Sequence, residues 1–131
     1  MPVCGFSDEA IRTGVPLLVS NELERDLGRA NIFVYITECE GLGSGVLLAM
    51  SAGLAVVASD VGGVREIVED GCNGLRTANA AAAIGGCIRR FVDDPELVKT
   101  AGGNARRTVE QRFTVERMVS ETMRVYRQVL A

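Results

Sequence analysis

Two kinds of apolar pattern divide the chain. Ile32-Phe33-Val34-Tyr35-Ile36 and Ala55-Val56-Val57-Ala58-Ser59 are short, nearly continuous apolar runs rich in β-branched and aromatic residues, as expected of strands covered on both faces. Val15-Pro16-Leu17-Leu18-Val19 reads the same way, and Val3 to Phe6 has the composition of a short strand. Ser7-Asp8-Glu9 resembles a helix start, with Gly14 at its end. A helix is expected through Leu23 and Leu27, with Asn21 and Glu24 spaced like a capping box. Another is expected over residues 44–52, stopped by Gly53, and a short one over 64–68 after the tight Gly62-Gly63 loop. Residues 69–74 read as a turn leading into a short strand at Leu75 and Arg76.

Later the spacing changes to three and four residues. A helix is predicted over 79–92, with Gly85-Gly86 weakening its middle by about 1 kcal/mol per glycine. Asp94 followed by Pro95 marks a second start, and Leu97, Ala101, Ala105 and Val109 fall on one face. Thr114 caps a third helix, with Phe113 and Met118 placed as a hydrophobic staple. Strands alternating with helices at these distances predict an α/β fold with a parallel, Rossmann-like sheet flanked by helices. At 131 residues, 1–131 reads as a single domain.

Composition narrows the chemistry. The chain contains no histidine, which excludes histidine-dependent triads and the usual zinc sites; no metal is expected. Cys4, Cys39, Cys72 and Cys87 are scattered, and the plain expectation is buried free thiols. Cys39, near a helix start, is the one candidate for a reactive thiol. Residues 1–80 carry 5 basic and 11 acidic side chains, residues 81–131 carry 9 and 6. The basic segment suits a membrane surface or an acidic partner, but solvated helix faces explain it as well. With 5% aromatic residues and none interleaved with the arginines, nucleic-acid binding is not expected. No apolar stretch has the length of a membrane span and no secretory leader pattern opens the chain, so a cytoplasmic location is expected.

Glu40-Gly41-Leu42-Gly43-Ser44-Gly45 lies between a strand and a helix, the place where free N–H groups attract an anion. An ordinary βα turn with no ligand is the alternative. A dinucleotide fingerprint is a further one, with Asp60 as its acid, though the third glycine comes one residue early at Gly45. No Walker-type Gly-Lys-Ser/Thr follows, which excludes a P-loop.

Asn31-Ile32-Phe33-Val34-Tyr35, Glu38-Cys39-Glu40-Gly41-Leu42-Gly43 and Ala49-Met50-Ser51-Ala52-Gly53-Leu54 resemble the C-terminal, nucleotide-sugar-binding domain of retaining GT-B glycosyltransferases of the group 1 type. The similarity runs on through Ala58-Ser59-Asp60-Val61-Gly62-Gly63, Glu66-Ile67-Val68-Glu69-Asp70-Gly71, Asn73-Gly74-Leu75, Asp93-Asp94-Pro95-Glu96-Leu97, Ala105-Arg106-Arg107 and Arg112-Phe113. It covers the chain from about residue 15 onward. The resemblance implies one half of the GT-B fold and a nucleotide-diphosphate sugar as substrate, with no separate cofactor. Glu40 matches the first carboxylate of a Glu-x7-Glu motif and would accept hydrogen bonds from the sugar. Gly41, Leu42, Gly43, Ser44 and Gly45 would offer backbone N–H groups to the sugar and diphosphate.

The second carboxylate of that motif, which holds the ribose, falls at Leu48, where the donor site is degenerate. A leucine there removes one or two polar contacts, each worth about 1–3 kcal/mol if the ribose stays buried. Ala55 and Arg65 stand where the family usually has proline. Its acceptor domain and the basic residues that clamp the diphosphate have no counterpart here, and no catalytic base can be assigned. The implied function is donor binding for retaining glycosyl transfer, with the chain inactive alone. The alternative is a non-catalytic remnant or an interaction subunit that needs an acceptor-domain partner or self-associates, the last helix placing Met118, Thr122, Val125 and Val129 on one face.

Overall fold

The computed structural model describes residues 21–131. The elements expected at 3–14, the strand at 15–19 and Cys4 lie outside the described residues.

The described chain runs α1 (Leu23–Leu27), β1 (Ile32–Tyr35), α2 (Ser44–Ser51), β2 (Ala55–Ser59), α3 (Val64–Ile67), β3 (Leu75–Thr77), α4 (Ala81–Asp93), α5 (Pro95–Arg112) and α6 (Val115–Leu130). The strands form one parallel sheet in the order β1-β2-β3, with Val34 opposite Val57 and Val57 opposite Leu75. β2, the central strand, is buried at every position because its two faces serve two different cores. Val56 and Ala58 join Val46, Met50, Val64, Ile67 and Ala105 beneath α2, α3 and the end of α5. Ala55 and Val57 join Leu75, Phe91 and Ala101 beneath α4 and the start of α5. Both faces of a parallel strand are covered this way when crossovers place helices on each side, which explains the unbroken apolar run in the sequence.

Helix boundaries follow local chemistry closely. The Asp94 side chain accepts from Leu97 N at 3.0 Å with Pro95 in the first turn, and the Thr114 hydroxyl accepts from Arg117 N at 3.2 Å. Three expectations are corrected. The first residue of α1 is preceded by Glu22 rather than Asn21, and no side chain caps that helix. α4 begins at Ala81, not 79, because the Asn79 amide is engaged elsewhere: it bridges Ser59 and Thr37. Among the described residues the thiols are not buried: Cys39 and Cys72 are exposed and Cys87 is half-buried against the second core.

α5 crosses the α2–β2 turn at very short range. A Cβ on Gly102 would lie 2.2 Å from the carbonyl oxygen of Gly53, so only glycine permits this crossing. Ala101, Gly102 and Ala105 form its buried face, while Leu97 and Val109 are half-buried at the margins of the two cores. α6 differs from every other helix of comparable length: no residue in it is buried. Met118, Val119, Tyr126 and Val129 share one face and all are at least half exposed. Thr122 and Val125 are exposed as well. No helix among the described residues is long and apolar enough to cross a membrane.

Candidate functional site

The loop between β1 and α2 lies at the carboxyl end of the parallel strands, where ligands bind in open α/β sheets. Gly43 makes the turn into α2 with φ 77° and ψ 52°, a left-handed conformation that favours glycine. No side chain caps α2, and its first turn carries no acidic residue. The loop therefore offers uncapped helix-terminal N–H groups with positive dipole character.

Glu40 stands at the mouth of this loop. Its Oε1 accepts from Gly41 N at 2.9 Å, and its Oε2 accepts from the Tyr35 hydroxyl. The carboxyl is held below the usual glutamate range chiefly by the Tyr35 hydrogen bond; burial opposes it next, and the Gly41 and Gly43 amides each lower it by a smaller amount. The Tyr35 hydroxyl is correspondingly raised, chiefly by donating to Glu40.

The remaining predicted residues separate into two groups. Gly41, Leu42 and Ser44 are exposed in the loop, Gly43 is buried, and Gly45 faces the Tyr35 ring. Leu48 lies further along α2, packed against the first core and lining a groove of about 520 Å³ opposite Asn21, Glu22, Leu23, Glu24 and Arg25. Leu42 and Leu47 line a different apolar groove, about 320 Å³, that runs to Phe113 and Met118. Asp60 is engaged by two guanidinium groups, Arg65 Nε at 2.9 Å and Arg76 Nη1 at 3.1 Å, so its carboxylate serves the β2 exit. Cys39 offers its carbonyl to the Thr37 hydroxyl at 2.8 Å.

Two supports of the loop were not evident in the sequence. Gly62 and Gly63 press against its backbone: a Cβ on Gly62 would lie 2.0 Å from the Glu40 oxygen, and one on Gly63 would lie 1.7 Å from the Gly41 oxygen. Gly63 N also donates to the Glu40 carbonyl at 3.3 Å. The second support joins three strand ends. Ser59 Oγ accepts from Thr37 N at 2.9 Å and donates to Asn79 Oδ1 at 2.6 Å, while Asn79 Nδ2 donates to the Thr37 carbonyl at 2.8 Å. The adjacent glycines were the only signal, and they read locally as a turn.

A three-stranded parallel sheet flanked by helices, with an uncapped glycine turn and a held carboxylate at its carboxyl edge, defines a Rossmann-like unit with the C-terminal GT-B arrangement. Residues 13–108 match the family model described as "Glycosyl transferases group 1", and the chain belongs to that family. It is 33% identical over 131 residues to the alpha-maltose-1-phosphate synthase of Mycolicibacterium smegmatis, a match covering 92% of this chain and 34% of that protein. The chain thus spans about a third of the length of this curated relative. Anabaena Alr3699/HepE, solved in complex with UDP-glucose, superposes with a TM-score of 0.71 at 26% identity, over 77% of this chain and 29% of its own. The C-terminal domain of LpcC, a group 1 family protein from Francisella tularensis, superposes with a TM-score of 0.68 at 24% identity, over 77% of this chain and 52% of its own.

Proposed function

We propose that the 40–45 loop binds a nucleotide-diphosphate sugar as the donor half of a retaining glycosyltransferase. The carboxylate of Glu40, fixed beside an uncapped helix N-terminus, carries this reading. An anionic diphosphate suits the uncapped N–H groups at the start of α2, and sugar hydroxyls suit the carboxylate beside them. The family and the UDP-glucose complex of Alr3699/HepE support the ligand class. Catalysis in this scheme is electrostatic: the helix end stabilises the departing diphosphate while an acceptor attacks. The acceptor is bound outside these residues, on a partner chain or a further segment, and the chain alone transfers nothing. The described residues supply no assigned base.

Calorimetry with UDP-glucose and UDP tests the role of Glu40. Glu40→Gln is expected to weaken UDP-glucose by about tenfold or more, as befits a charged hydrogen bond worth ~1.5–3 kcal/mol, while UDP changes little. Equal losses for both ligands would remove Glu40 from the sugar subsite. The same titrations with UDP, GDP and ADP on Leu48→Glu examine the second carboxylate position. Binding gained only in that variant identifies a degenerate donor site; tight binding by the unaltered chain sinks the remnant reading.

The second reading, an interaction subunit, rests on α6. Its uncovered apolar face requires a partner surface, and we expect self-association or dye binding by the isolated chain. A sharply monomeric sedimentation profile together with low dye binding would count against it.

A further inference from the structure

The Tyr35 hydroxyl has no role in the fold that its ring does not already fill. The ring is held on two sides: it stacks on Phe33 with centroids 6.1 Å apart and planes inclined by 16°, and a Cβ on Gly45 would lie 3.5 Å from its Cε2. β1 therefore delivers the hydroxyl, at the end of a rigid lever, under the first turn of α2. There it donates to Glu40 Oε2 while Gly41 N takes Oε1. Together with the Gly43 amide, these bonds do not exhaust the carboxylate, which accepts about four hydrogen bonds, so accepting capacity remains for a ligand hydroxyl.

We propose that Tyr35 is a positioning residue: its hydroxyl fixes the Glu40 carboxylate in place at the loop mouth, ready to accept from the donor sugar. This rests on the donor reading of the same loop. Among the described residues no lysine or arginine makes an ion pair with Glu40. The groups that face it are the Tyr35 hydroxyl and the Gly41 and Gly43 amides, and tyrosine is the largest of these influences. A neutral donor thus does work that a cation does elsewhere, and it leaves no second charge beside the diphosphate.

The sign follows. A carboxyl whose pKa is lowered stays ionised further into acid, and anything that depends on its charge is lost as pH falls through that lowered value. Removing the hydroxyl moves the loss to higher pH.

The test uses the full chain with carboxyl-labelled glutamate, followed by NMR in the unaltered protein and Tyr35→Phe, with Glu40→Gln identifying the resonance. Phenylalanine keeps the ring and its packing. The Glu40 carboxyl is expected to titrate at higher pH in Tyr35→Phe, and UDP-glucose to bind about two- to tenfold more weakly with its acid limb displaced upward. A titration unmoved by the substitution overturns the assignment, whether or not the ligand binds. A shifted titration in a protein that binds no UDP-glucose upholds the hold on Glu40 and defeats the donor reading instead.

Discussion

Gly63→Ala is expected to lower stability by about 1–3 kcal/mol and to displace the 40–45 loop, the usual cost of forcing an atom into a filled site. The backbone conformation of Gly63 does not oppose the change. At φ −67° and ψ −12° alanine is fully allowed, so backbone entropy alone favours it by about 0.4–1 kcal/mol. Contact decides the sign. The new Cβ would lie 1.7 Å from the Gly41 carbonyl oxygen, whereas ordinary carbon–oxygen contact begins at roughly 3.3 Å. One of the two segments must retreat by roughly 1.5 Å. The obstacle is backbone rather than a pliant side-chain end, and the segment that can retreat is the loop.

Gly86→Ala provides the control. It is an exposed helical glycine whose Cβ would meet nothing within 4 Å, and it is expected to gain about 0.8–1 kcal/mol. Urea midpoints of the two variants should move in opposite directions, and the amide resonances of 40–45 should shift only in Gly63→Ala. If Gly63→Ala also gains stability with the loop resonances unmoved, the two segments do not touch as described.

That contrast also shows why part of the site was hidden from the sequence. β2 was legible to the residue because one short apolar run encodes a strand covered on both faces. The starts of α5 and α6 were equally plain, since Asp94-Pro95 and Thr114 act on amides within three residues. The glycine loop and Glu40 stood out for the same reason: their chemistry is consecutive. Gly62 and Gly63 could be read only as a turn, because what requires them is a carbonyl more than twenty residues earlier. Tyr35 read as a strand aromatic, and its hydroxyl acquires meaning only when the chain returns to place Glu40 beside it. The described thiols were misjudged because an average tendency to burial says nothing of a cysteine in a loop or turn, where Cys39 and Cys72 sit at the surface. α6 was read correctly as an amphipathic helix with an unmet apolar face, since its periodicity is independent of what covers it.

Asn73→Leu is expected to cost about 3–5 kcal/mol, among the largest losses a single substitution produces. The sequence presents Asn73 as a turn residue, but it is only 2% exposed. Its Oδ1 accepts from Glu69 N at 2.8 Å, and its Nδ2 donates to the Ile67 carbonyl at 3.2 Å and to Thr108 Oγ1 at 3.1 Å. It thereby ties the exit of α3 to α5, and the Thr108 hydroxyl passes the connection to the Asn104 carbonyl at 2.9 Å. Leucine keeps the branching but is bulkier, so some overpacking adds to the main loss, the stranded partners, each costing about 1–3 kcal/mol where water cannot reach. Asn73→Asp separates donor from acceptor. It keeps the bond from Glu69 N but turns an oxygen toward the Ile67 carbonyl, and burial beside that carbonyl raises the new carboxyl's pKa in the folded state. A raised pKa means that the folded state binds the proton more tightly. The variant is therefore least impaired below the unfolded carboxylate pKa of about 3.9, and stability falls as pH rises through the folded value. Urea unfolding of Asn73→Asp at acid and neutral pH, each referred to the unaltered chain, measures this directly. A penalty that is the same at both pH values would show that Nδ2 is not the atom holding α3 to α5.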